Sequence, residues 1–137
     1  LPNTSASGQA NAGTPLLGVW ATADGNLKLE MSVAGDGYSG RILYGNRLIE
    51  ADGRTWKRDS QNPDASLRNR STQGIDFVKG LKWNARDKRW DGGRLYDPSS
   101  GRSASARAKL NGSTLELRAY MGSPMLGRTI AFQRASR

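Results

Sequence analysis

The chain has 137 residues, the length of one domain, and carries 21 Lys and Arg against 12 Asp and Glu, a net charge of +9. It holds no Cys and no His, which excludes thiolate nucleophiles, disulfides, imidazole-dependent triads and almost every transition-metal site, so no cofactor or metal is implied. Leu, Ile, Val and Phe fill only 23 positions, below the ~20% at which a charged chain starts to look disordered; four Trp and four Tyr argue instead for a folded core.

Residues 1–15 read LPNTSASGQANAGTP, uncharged and with almost nothing to bury. Such a segment is expected to be a flexible tail ahead of a single domain over residues 16–137. A chain that begins at Leu rather than Met fits a mature protein after removal of an export signal, or a trimmed chain. No apolar run approaches the ~18 residues of a transmembrane helix.

From residue 16 onward the apolar residues recur at every second position. Leu27, Leu29, Met31 and Val33 alternate with Lys28, Glu30 and Ser32; Leu115, Leu117, Ala119 and Met121 alternate with Glu116, Arg118 and Tyr120. These are half-buried strands with one apolar face. Eight are expected, over 16–23, 27–34, 38–44, 75–83, 89–97, 102–110, 114–121 and 128–134. Short turn signals separate most of them, the strongest being Asn111-Gly112, whose residues tolerate the positive φ of a tight hairpin. An antiparallel meander with one apolar face stays wet on that face and unpaired at two edges unless it closes. An all-β, eight-stranded, antiparallel up-and-down barrel follows, wide enough to be filled by side chains or to hold one small ligand.

Residues 45–74 break the alternation, an excursion that is long for a compact domain. Asn62 as N-cap and Pro63 at the first helical position predict a short helix there. The excursion is either a surface cover for one end of the barrel or a lid over a ligand mouth. It holds the densest basic set in the chain, Arg54, Lys57, Arg58, Arg68 and Arg70, which forms a candidate anion-binding loop.

Two motif matches carry little. Gly35-Asp36-Gly37-Tyr38-Ser39-Gly40 fits a dinucleotide fingerprint, but that fingerprint needs a following helix and here a strand follows. Asp87, Asp91 and Asp97 flank one hairpin and are candidates for a carboxylate pair. Interleaved with Arg86, Lys88, Arg89 and Arg94, they read better as solvated partners of those cations.

Gly18-Val19-Trp20 on the first strand resembles the Gly-x-Trp signature of lipocalins and their calycin relatives. Further motifs run in order: Asp59-Ser60-Gln61-Asn62-Pro63-Asp64, Leu67-Arg68-Asn69-Arg70, Trp90-Asp91-Gly92-Gly93-Arg94-Leu95-Tyr96-Asp97-Pro98, and Leu126-Gly127-Arg128-Thr129. Together they resemble the bacterial exported family catalogued as domain of unknown function 2147, over residues 16–134. The resemblance implies a small periplasmic or secreted protein with a lipocalin-like barrel, in which Gly18 and Trp20 are structural and Trp20 packs against an Arg of the last strand, Arg134 or Arg128. The sequence departs from the family pattern at Ala119 and at Ser103-Ala104, which bears on pocket shape rather than fold.

Two functional classes remain. In the first, the protein is a non-enzymatic carrier or sensor of a small, partly apolar or acidic ligand. Tyr38, Ile42, Leu117 and Met121 are then candidate lining, with Trp83, Trp90 and Tyr96 near a mouth and Arg41, Arg94 and Arg118 as partners for an acidic head group. Strand parity puts Arg41 and Arg118 on the face opposite their aliphatic neighbours. In the second, the basic surface binds anionic envelope polymers or lipids. Nucleic acid is disfavoured, because the cations are scattered and no run of aromatics offers a stacking platform. The sequence carries no signal for oligomeric state.

Overall fold

The structure, a computed structural model, describes residues 15–137; the tail reading therefore falls almost wholly outside the described residues. Eight antiparallel strands close into one barrel in chain order. They are β1 (Gly18–Ala21), β2 (Leu27–Ala34), β3 (Gly37–Gly45), β4 (Asp76–Asn84), β5 (Arg89–Asp97), β6 (Arg102–Asn111), β7 (Thr114–Tyr120) and β8 (Arg128–Arg134). The barrel closes where Trp20 and Ala21 of β1 pair with Arg134 and Gln133 of β8. Strand alternation thus sets the whole architecture, and the glycines of residues 35–40 lie in the β2–β3 hairpin.

The first strand is shorter than the expected 16–23. Leu16 is fully buried, and its carbonyl accepts a 2.8 Å hydrogen bond from the Trp20 indole instead of a ladder bond. At the other end of β1, the Thr22 hydroxyl donates to Asp24 at 2.7 Å and turns the chain early. The long excursion contains a 3₁₀ turn, Ala65–Leu67, rather than a helix capped by Asn62. Asp64 is the cap, accepting from the Ser66 amide, while the Asn62 side chain is drawn towards Asp59 and accepts from the Asp64 amide.

A meander puts its connections alternately at the two ends. One end, the floor, holds the entry to β1, the exit from β8 and the β2–β3, β4–β5 and β6–β7 hairpins. The other end, the mouth, holds the β1–β2, β3–β4, β5–β6 and β7–β8 connections. Trp20, Tyr38, Leu81, Trp90, Leu115 and Phe132 are all buried in the core. Packing there is tight: a Cβ on Gly40 would lie 2.5 Å from Met31 Sδ, and one on Gly93 would lie 2.7 Å from Leu81 Cδ2. A side chain at either position would require Met31 or Leu81 to shift, so this part of the barrel is closely packed and solid.

Arg134 fastens the closure. Its Cζ stands 4.1 Å from the centroid of the Trp20 ring. Its two terminal nitrogens donate to the carbonyls of Leu17 and Pro15. Gly18 makes room for this arrangement: its φ is +113°, and a Cβ there would meet Arg134 Nη1 at 2.9 Å. Trp20→Ala is expected to cost ~3–5 kcal/mol through the cavity it leaves, and Arg134→Ala less. A double-mutant cycle by chemical denaturation should show coupling of about 0.5–1 kcal/mol. Additive losses would mean that the guanidinium and the ring act independently.

Candidate functional site

Above the solid part, the barrel opens. A depression of about 340 Å³ is walled by apolar side chains from opposite sides of the sheet, among them Leu27, Ile42, Phe77, Leu95 and Ile130, with Leu48 from the start of the long excursion. It shares Arg47, Leu95, Asp97, Ser99, Ala119 and Arg128 with a wider surface depression of about 950 Å³ that reaches Lys57, Arg102, Ala104 and Leu126. Small residues create this space. Ala104 of β6 stands opposite Leu95, and Ala119 of β7 lines both depressions, so at these two positions the wall presents only methyl groups. The result is a half-filled barrel with an apolar recess at its mouth.

The rim is asymmetric in charge. Asp24 and Asp97 line it, but both carboxylates are already occupied: Asp24 by the Thr22 hydroxyl and Asn26 amide, Asp97 by the Ser99 amide and hydroxyl. The Thr22 hydroxyl, followed by the Asn26 amide, holds the Asp24 carboxyl below its ordinary range, so it stays ionised in its turn. By contrast, Arg47, Lys57, Arg102 and Arg128 have no carboxylate within ion-pair distance among the described residues. The recess therefore carries unpaired positive charge around an apolar interior.

A second feature lies outside the barrel, under the long excursion. Asp59 is 0% exposed, and both its oxygens are used. Oδ1 accepts from the Tyr96 hydroxyl at 2.5 Å; Oδ2 accepts from Asn62 Nδ2 at 2.8 Å and Arg70 Nε at 2.9 Å. A buried carboxylate is tolerable only when so fully paired, and this one ties the excursion to the outer face of β5. Gly101 completes the seam, because a Cβ there would fall 2.1 Å from the Gln61 carbonyl oxygen. Beside the seam runs a groove of about 540 Å³ lined by Arg70, Asp76, Lys79, Arg94 and Tyr96.

These positions redistribute the residues singled out from the sequence. Ile42 lines the mouth recess. Met121 lies beyond the end of β7 and is exposed at the rim, not in the interior. Tyr38 and Leu117 are core. Trp90 is buried and Trp83 packs on it with ring centroids 4.8 Å apart; both sit beside the β4–β5 hairpin at the floor, away from any mouth. Arg41 is engaged outside the barrel with Glu30 at 2.7 Å, and Arg118 with the Pro124 carbonyl and Thr129 hydroxyl. Arg94 and Tyr96 share the outer groove. In the basic loop, Arg58, Arg68 and Arg70 are spent on Asn69, Asn62 and Asp59, Lys57 faces the mouth, and Arg54 is exposed. Asp97 is at the opposite end of β5 from Asp91, which separates the candidate carboxylates. Asp59 escaped sequence reading because its main partner lies 37 residues away.

Comparison with known proteins agrees with this architecture. The chain belongs to the family described as "Uncharacterized protein conserved in bacteria (DUF2147)", which it matches over residues 18–134. Among solved structures it is similar to a Helicobacter pylori protein, HP1028, described as belonging to the lipocalin family. The two share 24% identity, with a TM-score of 0.72 over 88% of this chain and 83% of that one. That likeness shows a lipocalin-like fold. No functionally curated protein matches the sequence. No helix among the described residues is long and apolar enough to cross a membrane.

The Asp59 seam makes a pH-dependent expectation. Burial, and next the hydrogen bond to Asp59, hold the Tyr96 phenol well above its ordinary value of 10.0. Because the folded value lies above the unfolded one, its contribution is full below about pH 10 and is lost as the pH climbs from there through the folded value. Tyr96→Phe should cost about 1–3 kcal/mol at neutral pH by leaving Asp59 Oδ1 unpaired. Urea denaturation of both proteins should show that difference shrinking above about pH 10. A pH-independent difference would mean that the phenol proton is not what the fold holds.

Proposed function

We propose that this protein is a non-enzymatic binder of a small amphiphilic anion, with the apolar part of the ligand in the mouth recess and its acidic group at the rim. The observation that carries this reading is the juxtaposition at one end of the barrel of an apolar recess and four cations without carboxylate partners. The recess volume falls in the ~300–1,000 Å³ range of small-ligand sites. Ile42, Phe77, Leu95 and Ile130 supply a dry wall whose burial by an alkyl or aryl group is favourable at roughly 25 cal/mol per Å². Arg47, just after β3, and Arg128, at the start of β8, both line the recess and supply charge-assisted hydrogen bonds in fork geometry to a carboxylate, sulfonate or phosphate. The two hydroxyl–carboxylate pairs at the rim, Thr22–Asp24 and Ser99–Asp97, each lie within a turn whose backbone amide binds the same carboxylate, which supports binding rather than turnover. The exported, periplasmic or secreted location belongs to the same proposal.

A second reading concerns the outer groove. Lys79 of β4 and Arg94 of β5 are directly opposite each other across the sheet, a like-charge pairing that destabilises a sheet. Arg70 stands at the same groove, with Asp76 as the one acidic residue lining it. A bound anion relieves that repulsion, so this face, rather than the whole basic loop, is the place for an anionic polymer to settle.

Titration with anilinonaphthalene sulfonate, an aryl sulfonate that brightens in apolar sites, tests the first reading. Ala119→Trp, which fills the recess from a partly exposed position, should weaken binding by at least about tenfold, or ~1.4 kcal/mol, with little change in Tm. Arg47→Gln and Arg128→Gln should each weaken it several-fold. Unchanged affinity in Ala119→Trp, together with loss in Lys79→Gln/Arg94→Gln, would move the anion site to the outer groove.

A further inference from the structure

The β7–β8 connection exposes side chains that a barrel ordinarily hides. Met121, Met125 and Leu126 are 73%, 88% and 81% exposed. They are not on a loose strand of chain. Pro124–Leu126 forms a 3₁₀ turn capped by Ser123, whose hydroxyl oxygen accepts from the Met125 amide. Arg118 Nε donates to the Pro124 carbonyl at 2.8 Å and Nη1 to the Thr129 hydroxyl at 2.9 Å, bracing the turn from β7. The turn is therefore held with its large apolar groups outward. Three such groups on one short connection form a patch, unlike a single exposed Leu.

Their surroundings say what covers them. Met121 and Leu126 line the same depression as Arg47, Lys57, Arg102 and Arg128. The acidic side chain lining that depression, Asp97, is taken up by Ser99 and Ser100. Apolar side chains standing proud among unpaired cations match the boundary of an anionic bilayer. There, thioether and alkyl groups enter the acyl edge while guanidinium and ammonium groups meet phosphate. Charge complementarity singles out an anionic surface, and the apolar turn singles out one with an interior to enter.

We propose that the mouth end of the barrel docks on an anionic phospholipid bilayer, with Met121, Met125 and Leu126 at the acyl boundary and Arg47, Lys57, Arg102 and Arg128 on the headgroup phosphates. This goes beyond the ligand reading and stands whether or not the recess holds a ligand. It also orients the molecule: the recess opens towards the membrane, and the floor faces away.

Vesicle flotation of the full chain tests the proposal, using phosphatidylcholine alone and phosphatidylcholine mixed with phosphatidylglycerol. Binding is expected on the anionic vesicles only, and should fall as salt rises. Met125→Ser/Leu126→Ser should lower the bound fraction severalfold without altering Tm, since both residues are exposed. Val33→Ser, which removes a comparably exposed apolar group at the floor end (63% exposed), should change nothing. Arg47→Gln/Arg102→Gln/Arg128→Gln should abolish the preference for phosphatidylglycerol. No flotation at low salt would overturn the proposal, as would flotation insensitive to Met125→Ser/Leu126→Ser, which would reduce it to diffuse net charge. A wild-type dimer that the same double variant converts to monomer, without vesicle binding, would assign the patch to a second copy of the chain and overturn it too. Retained binding of anilinonaphthalene sulfonate in a protein that fails to float would sink the docking alone and leave the ligand reading intact.

Discussion

One side chain carries the closure on which the rest of the barrel depends. The Arg134 guanidinium lies on the Trp20 ring and takes up the carbonyls of Pro15 and Leu17, so one planar cation fastens three points of residues 15–20 to the end of β8. Without it, β1 and β8 share only the short pairing of Trp20 and Ala21 with Arg134 and Gln133, the weakest seam of the sheet. Gly18 is the local condition for this contact, since any Cβ there would meet the guanidinium. Guanidinium geometry suits the role: a Lys ammonium could not stack on a ring and serve two carbonyls in one plane. The floor end is closed by this contact and filled by Trp20, Trp90 and Phe132, while the mouth end keeps a recess.

That division explains how so little aliphatic content suffices. Bulky rings, Trp20, Trp90 and Phe132 among them, fill the solid part, while two positions of the wall near the mouth, Ala104 and Ala119, hold only methyl groups. The mouth is left with apolar walls and charged rim groups that the fold does not use for its own ion pairs. On the outer surface Glu30, Asp87 and Asp91 are matched with Arg41, Arg137 and Arg89, and Asp59 with Arg70. Other outer cations, Lys79 and Arg94 among them, have no carboxylate partner among the described residues either; what sets the cations of the mouth apart is that they border an apolar recess.

Much of the fold was legible in the sequence because its signal is local. Period-two alternation in 27–34 or 114–121, and Asn111-Gly112 between two such runs, need only a few adjacent residues to be read. Inside and outside were harder to tell apart at the ends of strands. Met121 continues the β7 alternation by one residue, but the strand has ended at Tyr120 and the side chain turns out to the rim. Trp83 and Trp90 read as mouth residues until the alternation of connections puts the β4–β5 hairpin at the floor. The Asp59–Tyr96 contact, and the groove that joins Arg70 to Lys79 and Arg94, depend on where a long excursion lands, which no local pattern encodes. The rim likewise gathers Arg47 from the β3–β4 connection and Arg102 and Arg128 from the first positions of β6 and β8.

On the reading proposed above, a ligand enters only the mouth of a barrel whose floor is solid. Amide chemical-shift mapping during titration with a medium-chain alkyl carboxylate tests it most directly. Shifts should cluster at Ile42, Arg47, Ala104, Ala119 and Arg128, with Gly40, Trp90 and Phe132 unmoved. Shifts centred on Gly40, Gly93 and Trp90 would show a ligand inside the part described as filled, and the division of the barrel into closed floor and receptive mouth would be wrong.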